Sequence, residues 1–326
     1  MGRNAMNLKP QLIGSTGDSL REAFGKALLS LAEAYPDFVV MDADIAGGTG
    51  THHFQKGYPQ RFIQCGIAEQ NMMAMAGGIA ATGIPVFVTT FAVFCLRALE
   101  QARLSIAYAD RNVKIVASHP GLDVGPDGAS AQCLEDLAAF RAIPGMTVIS
   151  PCDPGEMMAA TEAVLNMKGP VYMRSGRSGA PRLDDLPPFR IGKATILRQG
   201  IDVSLVACGK MVFHALEAAK ILAEQGFQAR VVNMATIKPV DGSCLVDCAK
   251  STGCVVTAED HNIIGGLGGA VAEVLATQAP CPLEMVGVRD VFGESGEPED
   301  LAAKYGLTGN DIAEAAKRAI ARKQER

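Results

Sequence analysis

Residues 62–91, "FIQCGIAEQNMMAMAGGIAATGIPVFVTTF", carry the reading that decides the fold. "MMAMAGGIAATG" has the length and small apolar make-up of a buried helix, and "IPVFVTTF" is a β-branched run of strand length. Upstream, "DFVVMDADI" is a short β-run that ends in acids and a "GGTG" loop. Downstream, "FCLRALEQARLSIAYAD" reads as a helix and "VKIVASH" as another strand. One carboxylate, Glu69, stands at the head of the small-residue helix. The helix dipole favours a first-turn acid by less than about 1 kcal/mol. That explains an acid there, but not its apolar neighbours.

The same alternation extends in both directions. "GDSLREAFGKALLSLAEA", residues 17–34, is a helix with an Asp/Ser start, and "MTVISPCDPGEMMAATEAVLNMKGPVYMR" continues the rhythm. Strands alternating with helices in units of about 30 residues specify a parallel sheet covered by helices on both faces. A stretch rich in Gly, Pro, Asp and Arg, "SGRSGAPRLDDLPPFRIGKA", interrupts the pattern. The rhythm then restarts with "DVSLVACG", "VFHALEAAKILAEQG", "QARVVNMATIKPVD", "GCVVTAED" and "IIGGLGGAVAEVLA". The expected architecture is α/β in two domains, residues 10–180 and 193–326, joined by a linker at 181–192.

Composition narrows the function. Thirty Lys+Arg against 35 Asp+Glu give a net charge of −5, with no long basic tract, so no nucleic-acid or membrane surface is expected. No signal peptide or spanning segment is visible. Nine cysteines, scattered without a CxxC pair, are expected to be reduced thiols of a cytoplasmic protein. No Cys/His cluster has ligand spacing, so no metal site is expected from this chain.

Several motifs fail on spacing. "GGLGGA" lacks the GxGxxG pattern of a dinucleotide loop, "GPDGAS" has no Lys-Ser/Thr after it, and no GxSxG elbow occurs. What remains is a set of polar residues at strand ends, where open parallel sheets bind ligands. These are Asp42 and Asp44, His119, Arg174, and Glu259, Asp260 and His261, with Glu69 at its glycine-flanked helix start.

On these residues a resemblance can be stated. "RFIQCGIAEQNMMAMAGGIAATG", "TTFAVF" and "VASHPGLDVGPDGASAQCLEDLAAFRAIPGMTVISPCDPGE" resemble the pyrimidine-binding domain of transketolases. "NMATIKPVD", "TAEDHNIIGGLGGAVAEVL" and "GVRDVFGESG" are similar to their C-terminal domain. The resemblance implies thiamine diphosphate in a cleft between chains. It places Glu69 on N1′ of the aminopyrimidine ring, favouring the imino form that takes the proton from C2. Phe91 and Phe94 match aromatics that pack on that ring. Arg97 lies where an aromatic often flanks it, and Asp44 is placed among the cofactor contacts. Arg21, His119 and Arg174 match a phosphate-binding group, and Asp127 matches the acid that reads a donor hydroxyl. Glu69, His119 and Asp127 form the implied catalytic set.

The chain also departs from the family pattern. Nothing matches the GDG…N segment that binds the diphosphate and a divalent metal such as Mg²⁺. The expectation is therefore a C-terminal subunit of a split transketolase, inactive alone. A separate N-terminal subunit would supply the metal, in an α2β2 assembly with a homodimeric core. Ala131 stands where the family commonly has His, and Gly48 or Thr49 replaces a phosphate-contacting Ser. The implied reaction moves a two-carbon ketol unit from a ketose phosphate to an aldose. A deoxyxylulose-phosphate-synthase-like carboligase, a 2-oxo acid dehydrogenase β-type subunit and a non-catalytic partner subunit are the alternatives.

Overall fold

The computed structural model describes residues 12–13, 17–183 and 186–325. The expected start of the first domain at residue 10 and part of the expected linker fall outside them. In the first half the β-branched runs form β1 (Val39–Asp42), β2 (Phe62–Gln64), β3 (Val86–Phe91), β4 (Val113–Ser118), β5 (Thr147–Ile149) and β6 (Val171–Ser175). The second half contributes β7 (Thr195–Arg198), β8 (Val203–Ala207), β9 (Ala229–Asn233), β10 (Thr236–Lys238), β11 (Val255–Asn262) and β12 (Leu283–Val288). The short segments Leu12–Ile13 and Arg182–Leu183 pair antiparallel outside these sheets.

The first sheet has the order β10-β5-β6-β4-β3-β1-β2, and the second β12-β11-β8-β9-β7. Neighbours are parallel except at one edge of each sheet, where β10 runs against β5 and β7 against β9. Strand β3 shows why the central strands are apolar on both sides. Val86 and Val88 enter one apolar layer with Met72 and Met73, while Phe87 enters the opposite layer with Phe24, Leu28 and Met157. All of these are fully buried, as a sheet with helices on both faces requires.

The helices follow their local signals. Helix α1 (Leu20–Ala34) starts at Ser19, whose side chain accepts a hydrogen bond from the Glu22 amide. Helix α2 (Glu69–Ala80) is made of small residues because it lies against another backbone: a Cβ on Gly77 would stand 2.4 Å from the Ser105 carbonyl oxygen. The expected single helix over "FCLRALEQARLSIAYAD" is instead broken into Ala92–Arg97, Leu99–Gln101 and a π-helical stretch, Ala102–Tyr108. "QARVVNMATIKPVD", one unit of the sequence rhythm, holds two strands, β9 and β10, which belong to different sheets. The second half thereby lends a strand to the first.

Candidate active site

Parallel pairing sends the carboxyl ends of β1, β2, β3, β4 and β6 to one edge, and most of the candidate residues lie there. Asp42, at the end of β1, is fully buried. Its carboxylate accepts hydrogen bonds from the Ile45 amide (2.7 Å) and from the hydroxyls of Thr49 (2.8 Å), Thr51 (3.1 Å) and Thr89 (2.9 Å). Asp42 is thus the anchor of the following loop, with no capacity left for a ligand. Asp44 is exposed, in the left-handed region at φ 66°, and donates its amide to Gln64 Oε1.

The anchored loop carries Gly48 onto a stack of rings. Phe91 at the end of β3 stacks on His119 with centroids 3.7 Å apart, and Phe94 stacks on Phe91 at 5.4 Å. A Cβ on Gly48 would stand 2.7 Å from Phe91, so the close approach requires glycine here. Ser118 ties the parts together, with its hydroxyl donating to the Gly48 carbonyl (3.1 Å) and lying 2.9 Å from His119 Nδ1. The Arg21 guanidinium reaches the same carbonyl at 3.4 Å, while its buried Nε has no hydrogen-bond partner. His119 is buried and held at φ 58°, a backbone strain typical of functional positions. Burial, reinforced by the Arg21 and Arg177 charges, lowers its pKa to about 4, so the imidazole is neutral at physiological pH.

Glu69 opens helix α2 and is only 4% exposed. Its carboxylate accepts no hydrogen bond from any of the described residues. Its charge is felt at Cys95, in the Ala92–Arg97 helix that begins directly after Phe91 and packs against α2. Arg97, at the far end of that helix, is exposed. A carboxylate that meets no protein donor in so buried a residue is free to receive a ligand's donor.

Arg174, expected in the phosphate-binding group, is engaged with protein partners. It is 5% exposed. Its Nε and Nη2 both donate to the buried Asp136 carboxylate, and Nη1 donates to the Asp260 carbonyl at 2.9 Å. The residue that faces outward is Arg177, three positions on, which the sequence reading did not place among the site residues. Arg177 is half-exposed, donates to the Val124 carbonyl and lies 3.7 Å from Asp127. Asp127 is exposed at the end of the 3-10 turn Leu122–Asp127.

The second half supports that turn rather than adding groups to it. The Asp260 carboxylate accepts the amides of Leu122 (2.9 Å) and Asp123 (3.3 Å). Glu259 accepts the Leu267 and Gly268 amides at the start of helix α3 (Leu267–Gln278). "GGLGGA" therefore serves packing: a Cβ on Gly266 would stand 2.0 Å from Glu259 Oε2. His261 is fully buried and accepts the Ala138 amide. These three strand-end residues are braces. Beside them lies a cleft of about 430 Å³ lined by Val93, Ser130, Gln132, Glu135 and Phe292, and Ala131 sits half-buried in the turn at its rim.

Fold and candidate site together describe a two-domain α/β chain whose sheet edge carries one carboxylate, three stacked rings and two partly exposed arginines. Residues 18–181 match the family model of the transketolase pyrimidine binding domain, and residues 192–312 that of the transketolase C-terminal domain. The chain is 46% identical over 299 residues to a transketolase C-terminal section of Methanocaldococcus jannaschii, covering 90% of this chain and 94% of that one. It is 43% identical over 309 residues to a 6-deoxy-6-sulfo-D-fructose transketolase subunit of a Clostridium species, covering 94% and 96%. A solved structure described as an inactive β4 tetramer of a split gene transketolase superposes with a TM-score of 0.88 at 48% identity, over 94% of this chain and all of the other. The chain belongs to the transketolase family, whose members depend on thiamine diphosphate.

Proposed function

We propose that this chain is the pyrimidine-side subunit of a two-chain transketolase that moves a two-carbon ketol unit from a ketose phosphate to an aldose. The observation that carries the reading is Glu69, a residue 4% exposed at the head of an apolar helix, whose carboxylate meets no hydrogen-bond donor among the described residues. In this reading Glu69 faces a ring nitrogen of an aminopyrimidine, and the aromatic stack that ends in Phe94 packs on the ring. When bound, thiamine diphosphate supplies the nucleophilic carbon and the electron sink for carbon–carbon bond exchange. Glu69 holds the proton at N1′, and its apolar surroundings keep that hydrogen bond out of water.

The other residues serve the sugar. Arg21 and Arg177 present half-exposed guanidiniums that suit a phosphate group, because the planar fork donates in pairs. The neutral His119 offers a ring nitrogen to a donor hydroxyl, and Asp127 accepts from another. Arg174 holds Asp136 and takes no part in substrate contact.

The diphosphate and a divalent metal such as Mg²⁺ belong to a separate subunit. Apolar side chains left open on this chain support a covering partner: Ile67, two residues before Glu69, is 77% exposed, and Phe292, at the cleft, 85%. The inactive β4 tetramer of the split-gene neighbour supports the same reading, in which the working assembly is α2β2 about a homodimeric core. No helix among the described residues is long and apolar enough to cross a membrane, in keeping with a cytoplasmic enzyme. Ala131 leaves room where the family commonly has an imidazole, which favours a donor other than the ordinary ketose phosphates. The sulfofructose transketolase relative shows that such donors occur in the family.

Mixing the chain with its diphosphate-binding subunit, thiamine diphosphate and Mg²⁺, and assaying two-carbon transfer from a panel of ketoses, tests the proposal. Transfer only when both chains are present is expected. Cofactor binding without transfer from any ketose would leave the non-catalytic alternative standing instead.

A further inference from the structure

Behind the loop that carries Gly48, the fold brings together three side chains that no sequence motif links. Helix α1 and the loop touch through glycines: a Cβ on Gly25 would stand 2.0 Å from the Gly50 carbonyl oxygen, and one on Gly50, at φ 80°, 2.0 Å from that of Arg21. This contact sets Glu22, in the first turn of α1, beside His52 and His53, which open the helix His52–Gly57. His53 Nε2 lies 2.7 Å from Glu22 Oε2, and the two imidazole rings lie 4.0 Å apart. One ligand-type atom from each of the three residues falls within 4.8 Å of the others. An independent observation is that His52 Nδ1 is buried without a hydrogen-bond partner.

We propose that Glu22, His52 and His53 form a binding site for a divalent transition-metal ion of the zinc type. Two imidazoles and one carboxylate are the donors of such ions, whereas Mg²⁺ and Ca²⁺ require oxygen ligands throughout. Bond lengths of about 2.0–2.2 Å around zinc place ligand atoms roughly 3.5 Å apart, so small side-chain rotations close the set. The His53 and Glu22 side chains are 29% and 30% exposed, which leaves an entry path and room for water to complete the coordination. The sequence reading expected no metal ligands, because His53 is 31 residues from Glu22 and only the fold joins them.

The position gives the ion a structural effect at the sugar site. Arg21 precedes Glu22 and donates to the Gly48 carbonyl, and Gly48 packs on Phe91. An ion bridging Glu22 to His52 and His53 would pin this loop to α1. The metal site itself does not rest on the transketolase reading; only its effect at a sugar site does.

The test is titration of the chelator-stripped full chain with Co²⁺, followed by its visible ligand-field absorption, and with Zn²⁺ by calorimetry. One ion per chain is expected, with a nitrogen–oxygen spectrum free of thiolate charge transfer. His52→Ala/His53→Ala and, separately, Glu22→Gln should each weaken binding by at least about tenfold. Absence of stoichiometric uptake, a thiolate-type spectrum pointing to the nine cysteines, or unchanged affinity in both variants overturns the proposal.

Discussion

Two arginines three residues apart do opposite jobs at the end of β6. Arg174 lies within the strand and turns inward, where its guanidinium and the Asp136 carboxylate neutralise each other out of water. Arg174→Met strands a buried carboxylate, so a loss of about 3–5 kcal/mol in stability is expected from denaturant unfolding. Arg177 lies past the strand, half-exposed beside Asp127. Arg177→Met should leave the unfolding midpoint nearly unchanged and raise KM for a phosphorylated sugar by about 10- to 100-fold in the two-chain enzyme. The reverse pattern would return the phosphate role to Arg174. A residue type at a strand end was legible in the sequence; which arginine faces the site was not, because that depends on Asp136, 38 positions away. His119 gives a second prediction. Its folded pKa lies below its ordinary 6.5, so its contribution to stability is complete above about 6.5 and is lost as pH falls towards about 4. The NMR midpoint of its imidazole should lie near 4 and rise in Arg21→Met, since a neighbouring cation is removed. A midpoint near 6.5 in the native chain would contradict the buried setting.

At the scale of elements, the turn Leu122–Asp127 owes its shape to a residue more than 130 positions away. Asp260 receives two of its amides, and Gly121, at φ 71°, allows the approach: a Cβ there would stand 2.1 Å from Asp260 Oδ2. Gly121→Ala is therefore expected to cost more than about 1 kcal/mol, and to lower turnover by releasing Asp127. Urea unfolding together with the transfer assay checks both, and a variant as stable and active as the native chain would show that the brace is dispensable. The elements themselves were largely readable, since β-branched runs and helical periodicity are local signals. The strand-end acids were readable as a group, yet Asp42, Glu259 and Asp260 hold backbone amides rather than a ligand. Hydrogen-bond partners brought together by the fold distinguish a brace from a site residue, and sequence position does not carry that information.

The whole molecule is two sheets interlocked. β10 leaves the second half to pair with β5, Lys210 binds Asp123 and Ser178 across the boundary, and Arg174 reaches the Asp260 carbonyl. The alternation of strands and helices made two α/β units legible, but the exchange of a strand between them rests on pairing some 90 residues apart and left no local mark. The interlock holds the carboxyl edge of the first sheet, the turn at Asp127 and the exposed apolar rim as one face, with Glu69 set into it. On this account the chain supplies the activating carboxylate, and a second chain closes the site over it. The most direct measurement is the turnover of Glu69→Ala in the reconstituted two-chain complex, with melting temperature recorded alongside. The account predicts a fall in kcat of at least about a hundredfold, with a melting temperature nearly unchanged because the carboxylate holds no other protein group. Turnover within a few-fold of the native complex would contradict it.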